Sequence, residues 1–217
     1  MSLKKIVASI KKEAKEKDEV RERILSDTKV ITRLSDQSIL SIHRGDIEEA
    51  RKRLEEASSD LKKLSEVLKK NPQFQYMGYV ITAYQEYAEA KVLQCLVIED
   101  RFPTPKEIGV PPIDFALGLA DLIGELRRRA IDNLRKGDMR VVEKSLLLMD
   151  DIYTELMTVE CADAIAPGMR RKLDVDRKLI ETTRGDMTLE IRRGQLEKAM
   201  GRLEKTLKKM RPKDEEA

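Results

Sequence analysis

Four carboxylates lie in two otherwise apolar stretches of this 217-residue chain. Glu86 and Glu89 occur in YQEYAEAKVLQCLVI, and Asp121 and Glu125 occur in PPIDFALGLADLIGELRRR. The members of each pair are three or four residues apart, which places them on one face of a helix. Carboxylates in an apolar setting are costly to bury unless a cation lies between them. We therefore predict that the two helices pack together and that the four carboxylates hold divalent metal.

Carboxylate oxygens are ligands that suit Mg²⁺ or Mn²⁺. Such an ion can bind a phosphodiester oxygen, lower the pKa of a bound water and stabilise the leaving oxygen. The sequence offers little else for hydrolysis, since it has one histidine, no CxxC pair and no GxxxxGK[ST] phosphate loop. We expect that histidine, His43, to be a surface or helix-cap imidazole. The chemistry indicated by the residues is metal-assisted hydrolysis.

Ordinary helix electrostatics is the alternative interpretation of these acids. Asp114 follows two prolines in a first helical turn, where a carboxylate stabilises the helix terminus, and we favour that role for it. Glu86 and Glu125 could each form a salt bridge with an arginine such as Arg127 or Arg128. The same two arginines are candidates for binding RNA phosphates, and a solvated face with salt bridges is the alternative for them.

The composition is 41% hydrophobic and 38% charged, with 4% aromatic residues and a formal net charge of +3. This mildly basic balance permits a nucleic-acid partner without requiring one. No apolar run is long enough to cross a membrane, and the first residues lack the apolar core of a signal peptide, so we expect a cytoplasmic protein. Cys95 and Cys161 lie in apolar helical patterns and are expected to be buried, reduced thiols.

Helical periodicity recurs along the whole sequence, and no strand pattern interrupts it. The predicted fold is all-α, a single domain over residues 1–217 built from about six to seven long antiparallel helices. Glycine and proline place six helices at about 2–44, 46–68, 72–99, 112–136, 138–165 and 169–210. We expect residues 1–18 to fray or project, residues 211–217 to be disordered, and the last helix to continue through Gly185-Asp186.

At the residues that suggest a metal site, the sequence resembles the translin family. The likeness is closest to the translin-associated factor X (Trax) branch and to the archaeal members. It is carried by QEYAEA (Gln85–Ala90) and PPIDFALGLADLIGEL (Pro111–Leu126), and more weakly by ILSIHR (Ile39–Arg44) and LEIRRG (Leu189–Gly194). The resemblance covers roughly residues 19–194.

The resemblance implies a six- or seven-helix protomer, a closed octamer-like shell, and Mg²⁺-dependent cleavage of single-stranded RNA inside that shell. The Trax acidic motif carries over to Glu86, Glu89, Asp121 and Glu125 of this chain. The non-catalytic translin branch lacks these acids and has a basic, histidine-containing RNA-binding motif at the start of the third helix. Here that region is FQYMGYV (Phe74–Val80), which has no basic residue. The departure favours the catalytic branch.

The predicted function is therefore a Mg²⁺- or Mn²⁺-dependent endoribonuclease that cleaves single-stranded RNA. We expect a homo-oligomer, with an octamer favoured, and note that a hetero-oligomer with a translin-type subunit is a further possibility that the resemblance implies. A non-catalytic translin-type protein that binds single-stranded RNA or DNA is the alternative. A plain helical scaffold is a third hypothesis, but it gives no reason for acids inside apolar helices.

Overall fold

The computed structural model describes residues 2–160 and 164–210, which form seven α-helices and no β-strand within those ranges. The helices are α1 (Leu3–Arg44), α2 (Ile47–Lys70), α3 (Gly78–Ile98), α4 (Pro105–Ile108), α5 (Pro112–Leu134), α6 (Met139–Met157) and α7 (Met169–Met210). The predicted all-α fold is confirmed. The last helix runs without a break through Gly185-Asp186, as the sequence indicated.

Two Gly-Asp turns connect neighbouring helices. Gly45 ends α1 with a φ of 82°, in the left-handed region that glycine adopts without strain, and Asp46 then accepts a hydrogen bond from the Glu49 N–H at the start of α2. Gly137 and Asp138 make the same turn between α5 and α6. Because each connection is this short, the joined helices fold back on one another as antiparallel pairs.

The central layer of the fold is the pair α3 and α5. Helix α1 packs on α3 and also on α2, whereas α6 and α7 pack on α5 and on each other. The apolar residues of these helices form one buried cluster in which α3 is covered on nearly all sides. None of the described helices has an apolar span long enough to cross a membrane. The acids predicted to bind metal thus belong to the two most central helices.

Two predicted helix boundaries were wrong. The third helix begins at Gly78 and not at Pro72, because Pro72–Phe74 form a 3-10 turn that inserts Phe74 into the core before the chain re-enters a helix. Helix α6 ends at Met157 and not near Ile165. Val159 and Ile165 are exposed, so their apolar side chains do not continue the buried stripe of α6.

The remaining expectations concern the chain ends and the cysteines. Residues 3–19 are helical and exposed, so the start of α1 projects from the bundle. Cys95 is a buried free thiol, as expected. Cys161 and the tail 211–217 lie outside the described residues.

Candidate functional site

A glycine permits the close contact of α3 and α5 at the predicted metal site. A Cβ atom added to Gly118 would lie 2.7 Å from the Gln85 carbonyl oxygen and 3.3 Å from the Glu89 backbone nitrogen. The backbone of α5 therefore lies against the turn of α3 that carries Glu86 and Glu89. Asp121 follows Gly118 by one helical turn, so this contact brings the acids of the two helices to the same place.

The burial and the pKa of Glu89 show that the four predicted ligands lie close together. Its side chain is buried, with a residue exposure of 7%. Burial is the largest cause, followed by the negative charges of Glu86, Asp121 and Glu125, and together they raise the pKa of Glu89 to about 9. The four carboxylates that the sequence singled out are thus electrostatic neighbours in the folded chain.

Asp114 stands apart from these acids. Burial alone raises its pKa to about 6, and it lies in the first turn of α5. The Asp114 charge also raises the pKa of Tyr84, after the larger effect of burial. The position in the first turn of α5 is the one that the sequence predicted, but the raised pKa of Asp114 shows that burial outweighs any stabilisation of its charge by the helix terminus.

Two further acids complete the group, and sequence reasoning missed both. Asp36 of α1 lies beside Glu86; burial, followed by the Asp36 and Asp121 charges, raises the pKa of Glu86 to about 7. Asp176 of α7 is 4% exposed, and burial together with the Asp121 charge raises its pKa to about 7. We call Asp36, Glu86, Glu89, Asp121, Glu125 and Asp176 the acid cluster.

His43 lies in the last turn of α1, which agrees with the helix-cap alternative, but it is not a surface residue. Its side chain is 4% exposed, and its Nε2 lies 2.5 Å from Oε2 of Glu125. The last turn of α1 reaches α5 at this point, so the imidazole is enclosed between helices and orients a carboxylate of the cluster. The spacing of Asp36 and His43, seven residues apart and hence on one face of α1, was the available sequence signal.

A lysine from α7 enters the acid cluster. The Lys172 ammonium group forms a salt bridge with Asp121 Oδ1, and the two side chains are 29% and 31% exposed. Lys172 also lowers the pKa of Glu86, Glu89 and Asp176 against the effect of burial. The sequence argument required a cation between these acids, and in this structure Lys172 is one.

The two arginines predicted to bind RNA have different surroundings. Arg127 Nη1 donates hydrogen bonds to Thr183 Oγ1 at 2.7 Å and to the Leu179 carbonyl oxygen at 3.1 Å. It therefore ties α5 to α7. Arg128 has a side chain that is 49% exposed and lies 3.8 Å from Glu125, so it is the better placed of the two to meet a phosphate.

The donor chemistry of the cluster fits a divalent cation. Carboxylate oxygens are the preferred ligands of Mg²⁺ and Mn²⁺, and Glu86, Asp121 and Glu125 act electrostatically on Glu89. In residues 2–160 and 164–210, no three His, Cys, Asp or Glu side chains are already arranged around a common metal position. Binding would therefore require side-chain rotation, beginning with the contacts of Asp121 and Glu125.

A cavity of about 450 Å³ opens beside the cluster and is lined by Asp121, Gly124, Gly168, Arg171, Lys172 and Asp176, among others. Its size is within the range of ligand sites, and it has basic and acidic groups side by side. A larger cavity of about 700 Å³, bounded by α2, α3 and α4, contains none of the cluster acids. We take the smaller cavity as the approach to the site because it shares Asp121 and Asp176 with it.

The raised pKa values predict how the stability of the metal-free protein depends on pH. Glu86, Glu89 and Asp176 have pKa values of about 7, 9 and 7 in the folded chain, against about 4 when unfolded. The folded state thus holds more protons over this range. The resulting stabilisation is complete below about pH 4 and is lost as the pH rises through the folded pKa values.

We expect the melting temperature of the EDTA-treated protein to fall between about pH 6 and about pH 9. Glu89→Gln removes the most strongly shifted carboxyl group and should flatten that decline. Thermal unfolding followed by circular dichroism measures the melting temperature of the wild type and of Glu89→Gln at each pH. A melting temperature that rises over the same interval would contradict the assignment of these acids as buried and mutually repelling.

Comparison with known proteins gives a consistent set of relatives. Residues 19–182 match the sequence profile described as the Translin family. The uncharacterised protein MJ0175 of Methanocaldococcus jannaschii is 34% identical over 190 residues, which cover 87% of this chain and 84% of that protein. The range 19–182 that matches the family profile spans all six acids of the cluster.

Three solved structures are similar over 85% of this chain. Apo-NeC3PO has a TM-score of 0.77 at 28% identity, and AfC3PO has a TM-score of 0.76 at 32% identity; 96% of each of those chains is covered. AfC3PO in a complex with duplex RNA has a TM-score of 0.72 at 31% identity, with 95% of that chain covered. The likeness therefore extends over most of the chain.

Proposed function

The chain belongs to the translin family, and from that premise we propose that it is a divalent-metal-dependent endoribonuclease. The observation that carries the proposal is the convergence of mutually repelling carboxylates at the contact of α3 and α5, where Glu89 is buried and the others are half-buried. Such a group is destabilising in a protein that only needs to fold, because each buried negative charge raises the energy of the others. A cation bound between the carboxylates would offset this repulsion, so we infer that the acids form a cation-binding site.

Glu86, Glu89, Asp121 and Glu125 would hold Mg²⁺ or Mn²⁺. When bound, the ion supplies activation of water and stabilisation of the charge that develops on a phosphodiester. The chain's own residues prepare the position. Gly118 allows the two helices to meet, and His43 holds Glu125 from the α1 side.

RNA is the proposed substrate class. The related AfC3PO has been described in a complex with duplex RNA. In this chain Arg128 is half-exposed next to Glu125, and Arg171 lines the cavity beside Asp121. Cationic side chains at the edge of an acidic site can bind the phosphates that flank the reacting one. Single-stranded RNA, the substrate expected from the sequence, is the form we propose to be cleaved.

The test uses labelled single-stranded RNA, duplex RNA and single-stranded DNA of one sequence. We expect cleavage of single-stranded RNA with Mg²⁺ and none with EDTA, because the acids cannot activate water without the ion. Binding of RNA in EDTA should persist, since phosphate contacts depend on Arg and Lys. Cleavage that is unaffected by EDTA would refute a metal-dependent reaction.

A non-catalytic RNA-binding protein is the second candidate. It is favoured by the present pairing of two of the acids, Asp121 with Lys172 and Glu125 with His43. In that case RNA would bind equally in Mg²⁺ and in EDTA and would be recovered intact. The same experiment therefore separates the two functions.

We also propose that the protein acts as a homo-oligomer, with an octamer favoured, and a hetero-oligomer with a translin-type subunit as the alternative assembly. Apolar side chains remain exposed along the second half of α7, at Leu196, Leu203 and Leu207. An isolated helix face of this kind is stabilised when another chain covers it. Light scattering of the purified protein measures the mass directly.

A further inference from the structure

We propose that Lys172 is a resident counter-cation that competes with divalent metal for Asp121 and is received by Asp176 when the metal binds. This inference rests on the proposed metal site and adds to it two residues with a defined exchange between them. Neither Lys172 nor Asp176 is assigned a part in holding the metal itself. Both are positioning residues that act on Asp121.

The first observation is an ion pair that is not formed. Lys172 and Asp176 are four residues apart on α7, so they lie one turn apart on the same face of the helix. A lysine and an aspartate in that relation commonly pair. Lys172 instead reaches from α7 to Asp121 on α5.

The second observation is that Asp176, without Lys172 as a partner, is a buried acid with one oxygen that the described part of the chain leaves unsatisfied. The residue is 4% exposed, and its Oδ2 has no hydrogen-bond partner among the described residues. A buried carboxylate oxygen without a partner is costly. Asp176 also lines the cavity into which Asp121 and Lys172 face, so the group that would satisfy it has to come from that cavity or from its neighbours.

The two observations fit one exchange. A divalent ion bound by Asp121 would repel the nearby ammonium group of Lys172 and would use the oxygen that Lys172 now contacts. Lys172 would then need another anion within reach of the same backbone position. Asp176 is that anion, and its electrostatic interaction with Lys172 already exists in the present structure. An ion pair between Lys172 and Asp176, one helical turn apart, would satisfy both groups.

The exchange has consequences for metal affinity that can be measured without RNA and without activity. Lys172→Met removes the competitor, so Mn²⁺ should bind roughly fivefold more tightly than to the wild-type protein. Mn²⁺ binding is followed by electron paramagnetic resonance of the free ion or by calorimetry. Lys178→Met is the matched control, because Lys178 is an exposed lysine of the same helix. The Lys178→Met protein should bind Mn²⁺ with the same affinity as the wild type.

Asp176→Asn tests whether Asp176 acts by pairing with Lys172 or only as a negative charge near the metal. In the wild-type background the substitution should weaken Mn²⁺ binding, because Lys172 then has no second partner. In the Lys172→Met background it should have no further effect, since there is no lysine to receive. This double-mutant cycle isolates the coupling between the two residues.

Three outcomes would overturn the inference. If the wild type binds Mn²⁺ and Lys172→Met binds it with equal or lower affinity, the competition is absent while the proposed function stands. If Asp176→Asn weakens binding equally in both backgrounds, Asp176 acts on the metal directly and not through Lys172. If the wild type binds no Mn²⁺ at all, both the metal site and the exchange are refuted.

Discussion

Asp121→Asn should reduce RNA cleavage by two orders of magnitude or more, about the loss that follows removal of one preorganised group that stabilises a transition state. The substitution keeps the size and shape of the side chain and removes one negative charge from the proposed metal position. Metal would bind more weakly and in a poorer geometry, and both changes act on the chemical step. The measurement is the single-turnover cleavage rate of labelled RNA at saturating Mg²⁺.

The fold should survive Asp121→Asn. The pair of Asp121 with Lys172 is about a third exposed at both side chains, and ion pairs of this kind contribute about 0–1 kcal/mol to stability. Once Asp121 is neutral, Lys172 can pair instead with Asp176, one helical turn away. A decrease of several kcal/mol in the free energy of unfolding would instead show that Asp121 serves chiefly as one partner of a structural ion pair.

Asp114→Asn is the matched control for this experiment. Asp114 lies on the same helix and has the same side chain, but burial alone accounts for its raised pKa. Neutralising it should leave cleavage within about twofold of the wild type, as is usual for a group outside the reacting site. Equal losses for the two substitutions would remove the specific role assigned to Asp121.

Gly118→Ala should destabilise the protein by roughly 1–3 kcal/mol, the usual result of overpacking a close contact. The new Cβ would lie 2.7 Å from the Gln85 carbonyl oxygen, which is backbone and has no rotamer through which to move away. Helices α3 and α5 would have to separate at the turn that carries Glu86 and Glu89. We therefore expect weaker Mn²⁺ binding together with the loss of stability.

Gly124→Ala, on the same helix, should change the stability in the opposite direction. A Cβ at Gly124 meets nothing within 4 Å. Alanine favours the helical conformation over glycine, so this substitution should stabilise the protein by about 0.5–1 kcal/mol. Urea unfolding of both variants gives the comparison. Stabilisation by Gly118→Ala would contradict the close approach of α3 and α5, and destabilisation by Gly124→Ala would contradict the open space at that glycine.

The sequence by itself determined the features that depend on neighbouring residues. The Gly-Asp turns at Gly45-Asp46 and Gly137-Asp138 follow from local backbone and capping chemistry, and they appear where the sequence placed them. The helical class follows from the apolar periodicity. The pairing of Glu86 with Glu89, and of Asp121 with Glu125, follows from helix geometry alone. Apolar surroundings on both helices then indicated that the two pairs are buried.

Helix boundaries were less certain because local preferences at a terminus are weak. Helix α3 starts at Gly78 because Phe74 is drawn into the core, an effect of packing that acts through distant residues. In the same way, α6 ends at Met157 although apolar residues follow it. No pattern within either segment distinguishes an apolar residue that reaches the core from one that does not.

Only the tertiary structure decided which other residues join the acids. His43 meets Glu125 across 82 residues of sequence, and Lys172 meets Asp121 across 51. Asp36 and Asp176 arrive from α1 and α7, where acids alternate with bases as on any solvated helix face. Helix periodicity determines the face on which a charge lies, but the packing of α1 and α7 on the central helices determines whether that face meets water or carboxylates.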